Sequence, residues 1–67
     1  MPGEQAAEVR PIYRKGDRVL VNFPKGYYEI VVEGHEIREG KLWLCGEGED
    51  FAASFPASRV IRRLASH

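Results

Sequence analysis

The strongest constraint on the fold is a series of short apolar or alternating runs between Lys15 and Leu64, each ended by a glycine or a proline. The runs are rich in β-branched and aromatic residues and are too short for helices of ordinary length. The breaks fall at Pro24, Gly26, Gly34, Gly40, Gly46 and Gly48. Short alternating runs at this spacing are typical of all-β domains, and we expect a small closed barrel of about five strands.

Alternation with a period of two predicts both the strand limits and the faces that the side chains share. Strands are expected at 18–23, 27–32 with a continuation at 35–38, 41–45, 51–55 and 59–64, and a short 3₁₀ turn is expected at 56–58. The sets expected to share a face are Val19, Val21 and Phe23; Tyr28, Ile30 and Val32; Leu42 and Leu44; and Phe51, Ala53 and Phe55. Tyr28 and Phe55 are assigned to the core, and Gly34 is expected to bend the long second strand through a bulge.

The length of 67 residues fits one domain, with a flexible N-terminal tail at 1–11 and the barrel at 12–65. So short a chain buries only about 60% of the surface that it exposes when unfolded, and it usually needs further stabilisation. A single cysteine excludes an intramolecular disulfide, and two distant histidines offer no metal-ligand cluster. We therefore expect no cofactor and no metal, and consider a homo-oligomer formed around Val31 and Trp43.

The net charge of zero hides a segregation along the chain. Residues 1–26 carry five basic and three acidic side chains, residues 27–51 carry two and seven, and residues 52–67 carry three and none. No apolar run approaches the about 20 residues of a membrane span. An unpaired cysteine suits a reducing compartment, so the sequence favours a cytoplasmic protein with no membrane partner.

The order of the elements resembles an SH3-like barrel of the Tudor or KOW kind. The segment GDRVLVNFPKGYYEIVV is similar to the opening of such domains, in which a strand, a loop and a tyrosine-bearing strand flank a ligand groove. The segment FPASRVIRRL is similar to their closing element, in which a short 3₁₀ step precedes the last strand. The resemblance covers about residues 15–64 and implies a five-stranded barrel with a binding groove and no catalytic site.

A second resemblance is to type II plasmid-borne dihydrofolate reductases, which are homotetrameric SH3-like barrels with a GDRV opening. Their pore is lined by a Val-Gln-Ile-Tyr segment just before a proline, and the matching residues here are Ala52, Ala53, Ser54 and Phe55. The phenylalanine lacks the hydroxyl of the family's tyrosine, and an alanine replaces the glutamine that contacts the ligand. The enzyme hypothesis is therefore kept only as an alternative.

The aromatic side chains Phe23, Tyr27, Tyr28, Trp43, Phe51 and Phe55 are many for so short a chain, and those not assigned to the core predict a ligand groove. Aromatic faces attract cationic groups by about 0.5–2 kcal/mol, which is how Tudor-type cages hold methylated lysine or arginine. The residues assigned to this predicted groove are Phe23, Tyr27, Trp43 and Phe51. The expected function is a non-catalytic interaction module that binds a peptide or protein partner.

The basic side chains suggest an alternative ligand, a single-stranded nucleic acid such as RNA. Arg18, Arg59 and Arg63 are expected to share one basic face with Tyr13 nearby, an arrangement that suits phosphates and a stacked base. The acidic middle of the chain opposes this alternative. The carboxylates near His35 match no closed set of metal ligands, and Cys45 has no partner that would make it a nucleophile.

Overall fold

The structure, a computed structural model, describes residues 13–65, so the tail predicted at 1–11 lies outside the described residues. The elements are β1 (Arg18–Phe23), β2 (Gly26–Arg38), β3 (Lys41–Glu47), β4 (Ala52–Pro56), a 3₁₀ turn η1 (Ala57–Arg59) and β5 (Val60–Ala65). The predicted all-β class, the number of strands and the 3₁₀ turn are confirmed. The turn and the last two strands lie one residue later than expected, and β3 continues two residues further.

All five strands belong to one antiparallel sheet in the order β4-β3-β2-β1-β5. β1 lies between β2 and β5, so the first and last strands of the sheet pair with each other. β4 and β5 are the two edges, and no ladder joins them within residues 13–65. The sheet is therefore open, and its closure into a barrel is not confirmed.

Local chemistry explains where β2 bends and where it ends. The register between β2 and β3 shifts between Val32 and Gly34, which confirms the predicted bulge. The connection to β3 is a two-residue turn in which Glu39 has a φ of 51° and Gly40 a φ of 78°. Positive φ at both positions is the signature of a type I′ turn, which suits the right-handed twist of a hairpin.

The buried core consists of Val19, Val21, Ile30, Val32, Leu44 and Phe55. Each of these belongs to one of the predicted shared-face sets, and the assignment of Phe55 to the core is confirmed. The assignment of Tyr28 is wrong, because its side chain is 38% exposed. Tyr28 pairs with Val21 near the β1–β2 turn. Its ring contacts the partly exposed rings of Phe23 and Phe51 instead of entering the buried core.

A buried carboxylate joins the start of the described chain to its last strand. Asp17 is 2% exposed, and its Oδ2 accepts a hydrogen bond of 3.0 Å from the backbone N–H of Arg14. The same oxygen lies 3.5 Å from Nε of Arg63 on β5. The backbone carbonyl of Asp17 also accepts a 2.8 Å hydrogen bond from the N–H of Val32 on β2. Asp17 therefore contacts three separate segments, and these bonds offset the cost of burying a charge.

We predict that Asp17→Ala lowers the free energy of unfolding by about 2 kcal/mol, because it removes a charge-assisted hydrogen bond and leaves the guanidinium of Arg63 without this partner. Urea unfolding followed by far-UV circular dichroism measures the change. Asp50→Ala is the matched control, since it makes the same chemical change at an exposed position. An equal loss in both variants would contradict the structural role of Asp17.

Candidate functional site

Aromatic rings cluster at the end of the sheet next to the β1–β2 turn. The ring centroid of Phe23 lies 5.9 Å from that of Tyr28, 6.4 Å from that of Phe51 and 5.6 Å from that of Phe55. Tyr28 and Phe51 are 5.6 Å apart with ring planes at 79°. We call these four residues the ring cluster. The near-perpendicular geometries are those that aromatic pairs prefer, so the rings support one another although several are partly exposed.

Two clefts open beside the ring cluster. The first, which we call the acidic cleft, has a volume of about 520 Å³. Its lining residues are Arg18, Tyr27, Tyr28, Glu29, Val31, Glu49, Asp50 and Phe51. The second, which we call the apolar cleft, has a volume of about 550 Å³. Its lining residues are Phe23, Pro24, Lys25, Tyr28, Asp50, Phe51 and Ala53. Both volumes lie within the range of small-molecule and side-chain binding sites.

The acidic cleft is negatively charged, because Glu29, Glu49 and Asp50 line it against one cation, Arg18. Arg18 forms an ion pair with Glu29, so the one guanidinium in the cleft is already neutralised. Across the described range, Glu49 and Asp50 have no hydrogen-bond or ion-pair partner. These two carboxylates therefore stand beside the exposed rings of Tyr27 and Phe51 without a counter-charge.

The loop before β4 positions Phe51. The backbone N–H of Gly48 donates a 2.8 Å hydrogen bond to the carbonyl of Phe51, which closes the loop. A Cβ atom at Gly48 would lie 2.3 Å from Cε1 of the phenylalanine ring, far closer than real contacts allow. The ring of Phe51 thus rests directly on the glycine backbone, and only glycine at position 48 permits this placement.

The residues of the predicted groove are only partly brought together. Phe23 and Phe51 are neighbours in the ring cluster, and Tyr27, which is 66% exposed, lines the acidic cleft with Phe51. Trp43 lies elsewhere: it pairs with Glu36 and Pro56 in the sheet, and the guanidinium carbon of Arg38 sits 4.4 Å from the centre of its ring. Trp43 therefore belongs to a different surface.

The three arginines of the predicted basic face each have an internal contact. Arg59 donates a 3.1 Å hydrogen bond from Nη1 to the backbone carbonyl of Asn22. Arg63 approaches Asp17, and its guanidinium carbon lies 5.2 Å from the centre of the Tyr13 ring. Arg18 pairs with Glu29, as described above. Each of the three arginines thus makes a contact within the domain, while its side chain stays exposed.

Sequence reasoning missed the roles of Tyr28, Gly48 and Asp50. Tyr28 was placed in the core because alternation fixes the face of a strand but not where along the strand the neighbouring elements end. The sequence pattern marks Gly48 only as a break between strands and Asp50 only as part of the acidic middle of the chain. The Gly-x-Gly spacing next to Phe51 was the available signal, because glycine permits the close approach of another group to the backbone.

Other kinds of site find no counterpart in the described residues. Between Tyr13 and Ala65, no group of three His, Cys, Asp or Glu side chains is placed to hold a metal ion. The same stretch contains no helix long and apolar enough to cross a membrane. No protein-family model, no curated protein and no solved structure matches the chain.

We predict that Gly48→Ala displaces the Phe51 ring and breaks its edge contact with Tyr28. The loss of stability should stay below about 1 kcal/mol, because the ring is partly exposed and can turn away into solvent. Changes in the NMR shifts of the Tyr28 ring protons report the displacement. Gly34→Ala is the matched control, since its Cβ would make an ordinary 3.5 Å contact with Cys45 Sγ. Unchanged Tyr28 shifts in Gly48→Ala would show that the glycine does not position the ring.

Proposed function

We propose that this chain is a small non-catalytic interaction domain that binds an extended peptide segment of a partner protein beside the ring cluster. The observation that carries the proposal is the exposure of Tyr27, Tyr28 and Phe51 next to Glu49 and Asp50, whose carboxylates have no ion-pair partner among residues 13–65. Exposed rings of this kind are costly to leave in water and mark interaction surfaces in soluble proteins.

The chemistry of the acidic cleft favours a basic side chain in the ligand. An arginine or lysine that lies over an aromatic face stabilises the complex by about 0.5–2 kcal/mol, and the stabilisation is larger when the cation is desolvated. Glu49 and Asp50 line the same cleft and supply the negative charge that such a cation needs. An acidic surface also attracts a cationic peptide at long range and raises the rate of association.

The strand order supports an SH3-like architecture for this domain. In the strand order β4-β3-β2-β1-β5, the first half of the long β2 pairs with β1 and its second half pairs with β3. The bulge at Val32 to Gly34 bends β2 between these two halves. A bend at this point turns the two halves of the sheet toward each other. We propose that the domain is a five-stranded SH3-like barrel, similar to the Tudor and KOW kind.

Two alternatives are weakened by the positions of their own residues. A reductase-like pore would need the side chain at position 55 to face a ligand, but Phe55 is 1% exposed and lies in the core. A nucleic-acid surface would need free cations, but Arg18, Arg59 and Arg63 are engaged within the domain and the open cleft is acidic. Self-association and a cytoplasmic location stay predictions.

We expect a fluorescein-labelled nonapeptide with a central Arg in a Gly-Ser background to bind, and its Gln analogue to bind at least fivefold more weakly. Phe51→Ala should weaken binding about tenfold, the cost of about one aromatic contact. Ile37→Ala is the control, because it removes an exposed apolar side chain that lines neither cleft. Fluorescence anisotropy measures all the affinities.

A labelled mixed-sequence single-stranded oligonucleotide is the counter-probe in the same assay. We expect no binding of the oligonucleotide at low salt, because Glu49 and Asp50 repel phosphate. Peptide binding that is unaffected by Phe51→Ala, or oligonucleotide binding tighter than that of the Arg peptide, would overturn the proposal. Circular dichroism of Phe51→Ala, with Asp17→Ala as the reference for a destabilised domain, separates loss of binding from loss of folding.

A further inference from the structure

The two edge strands of the sheet differ in how open they are to pairing with another chain. β5 pairs with β1 through two register shifts and carries Arg62 and Arg63. Bulges and charged side chains are devices by which proteins keep an edge strand from pairing with a further strand. The β5 edge is therefore protected.

β4 has neither of these devices. It pairs with β3 without a register shift, from Ala52 opposite Glu47 to Pro56 opposite Trp43. None of its residues is charged, and the exposed Ala52 and Ser54 are small. Alternate residues of such a strand direct their backbone groups to one neighbour, and the residues between them direct theirs to the other side. Among residues 13–65 no strand covers that other side of β4, which we call the open edge.

Carboxylates surround the open edge. A cleft of about 400 Å³ is lined by three residues of β4 together with Glu33 and Glu47. Glu49 and Asp50 lie in the loop that leads into β4. The open edge therefore suits a segment that carries positive charge, whereas the arginines of β5 would repel such a segment.

We propose that the basic peptide binds as an added strand along the open edge of β4, so that its backbone continues the sheet. Phe51 directly precedes β4, and Ala53 of β4 lines the apolar cleft with that ring. A strand paired with β4 therefore borders the ring cluster. In complexes of this kind the main-chain hydrogen bonds contribute affinity and the side chains contribute specificity. This inference rests on the proposed function and adds how the backbone of the ligand is held.

The first experiment removes the backbone donors of the ligand one at a time. In the labelled Arg nonapeptide, each residue after the first is replaced in turn by its N-methyl form, and fluorescence anisotropy measures the affinities. We expect losses that alternate along the peptide: about tenfold where the N–H faces β4, and less than about twofold at the residues between. Ile37→Ala is the control protein and should give the same alternation, because its substitution lies outside β4 and both clefts.

The second experiment observes the protein's own amides. Hydrogen exchange followed by NMR is compared with and without a saturating amount of the Arg nonapeptide. We expect the amides of 52–55 that point away from β3 to exchange about tenfold more slowly in the complex, since they become hydrogen-bonded. The amides of β5 are the internal control and should not change.

The outcomes separate this inference from the proposed function. A uniform response to N-methylation and unchanged exchange in β4, with binding that still depends on Phe51, would overturn strand addition and leave peptide binding intact. Absence of binding by the Arg nonapeptide would overturn both. Protection of the β4 amides that rises with protein concentration in the absence of peptide would assign the open edge to a second copy of the chain and also overturn the proposal.

Discussion

The rest of the structure depends on the buried carboxylate of Asp17. Its side chain holds the approach to β1 through the N–H of Arg14 and reaches Arg63 on β5, while its backbone carbonyl holds Val32 on β2. A core of six buried apolar side chains gives limited stabilisation to a domain of this size. The polar contact between Asp17, which precedes β1, and Arg63 on β5 therefore supports the pairing of these two strands, and β1 carries Phe23 of the ring cluster.

The strands and the core could be predicted from the sequence because alternation is a local property. Val19 and Val21 in β1, and Ile30 and Val32 in β2, were assigned shared faces by their spacing alone, and all are buried. For Tyr28, alternation predicts the face of the strand but not the burial of the side chain. It lies on the same face as Ile30, yet it is exposed, because its burial depends on where other strands stop and not on its own neighbours in the chain.

The candidate site could be predicted only in part for the same reason. Phe23, Tyr27 and Phe51 were selected as exposed or loop-adjacent rings, and the fold brings them to one end of the sheet. Trp43 was selected on equal grounds, but the β2–β3 register places it beside Glu36 and under Arg38. The role of Gly48 depends on a three-dimensional approach between backbone and ring, which no periodicity encodes.

The position of β1 in the strand order has a consequence for how the domain is made. β1, β2, β3 and β4 follow one another as hairpins, but the second edge of β1 is filled only by β5, the last of the described strands in the chain. Until then one edge of β1 is unpaired and Asp17 lacks its contact with Arg63. Because pairings between distant segments are slow to form, we expect β5 to dock late in folding, onto the meander of β1 to β4. A chain without β5 would leave this edge of β1 unpaired, and an unpaired strand edge is a template for pairing with another chain.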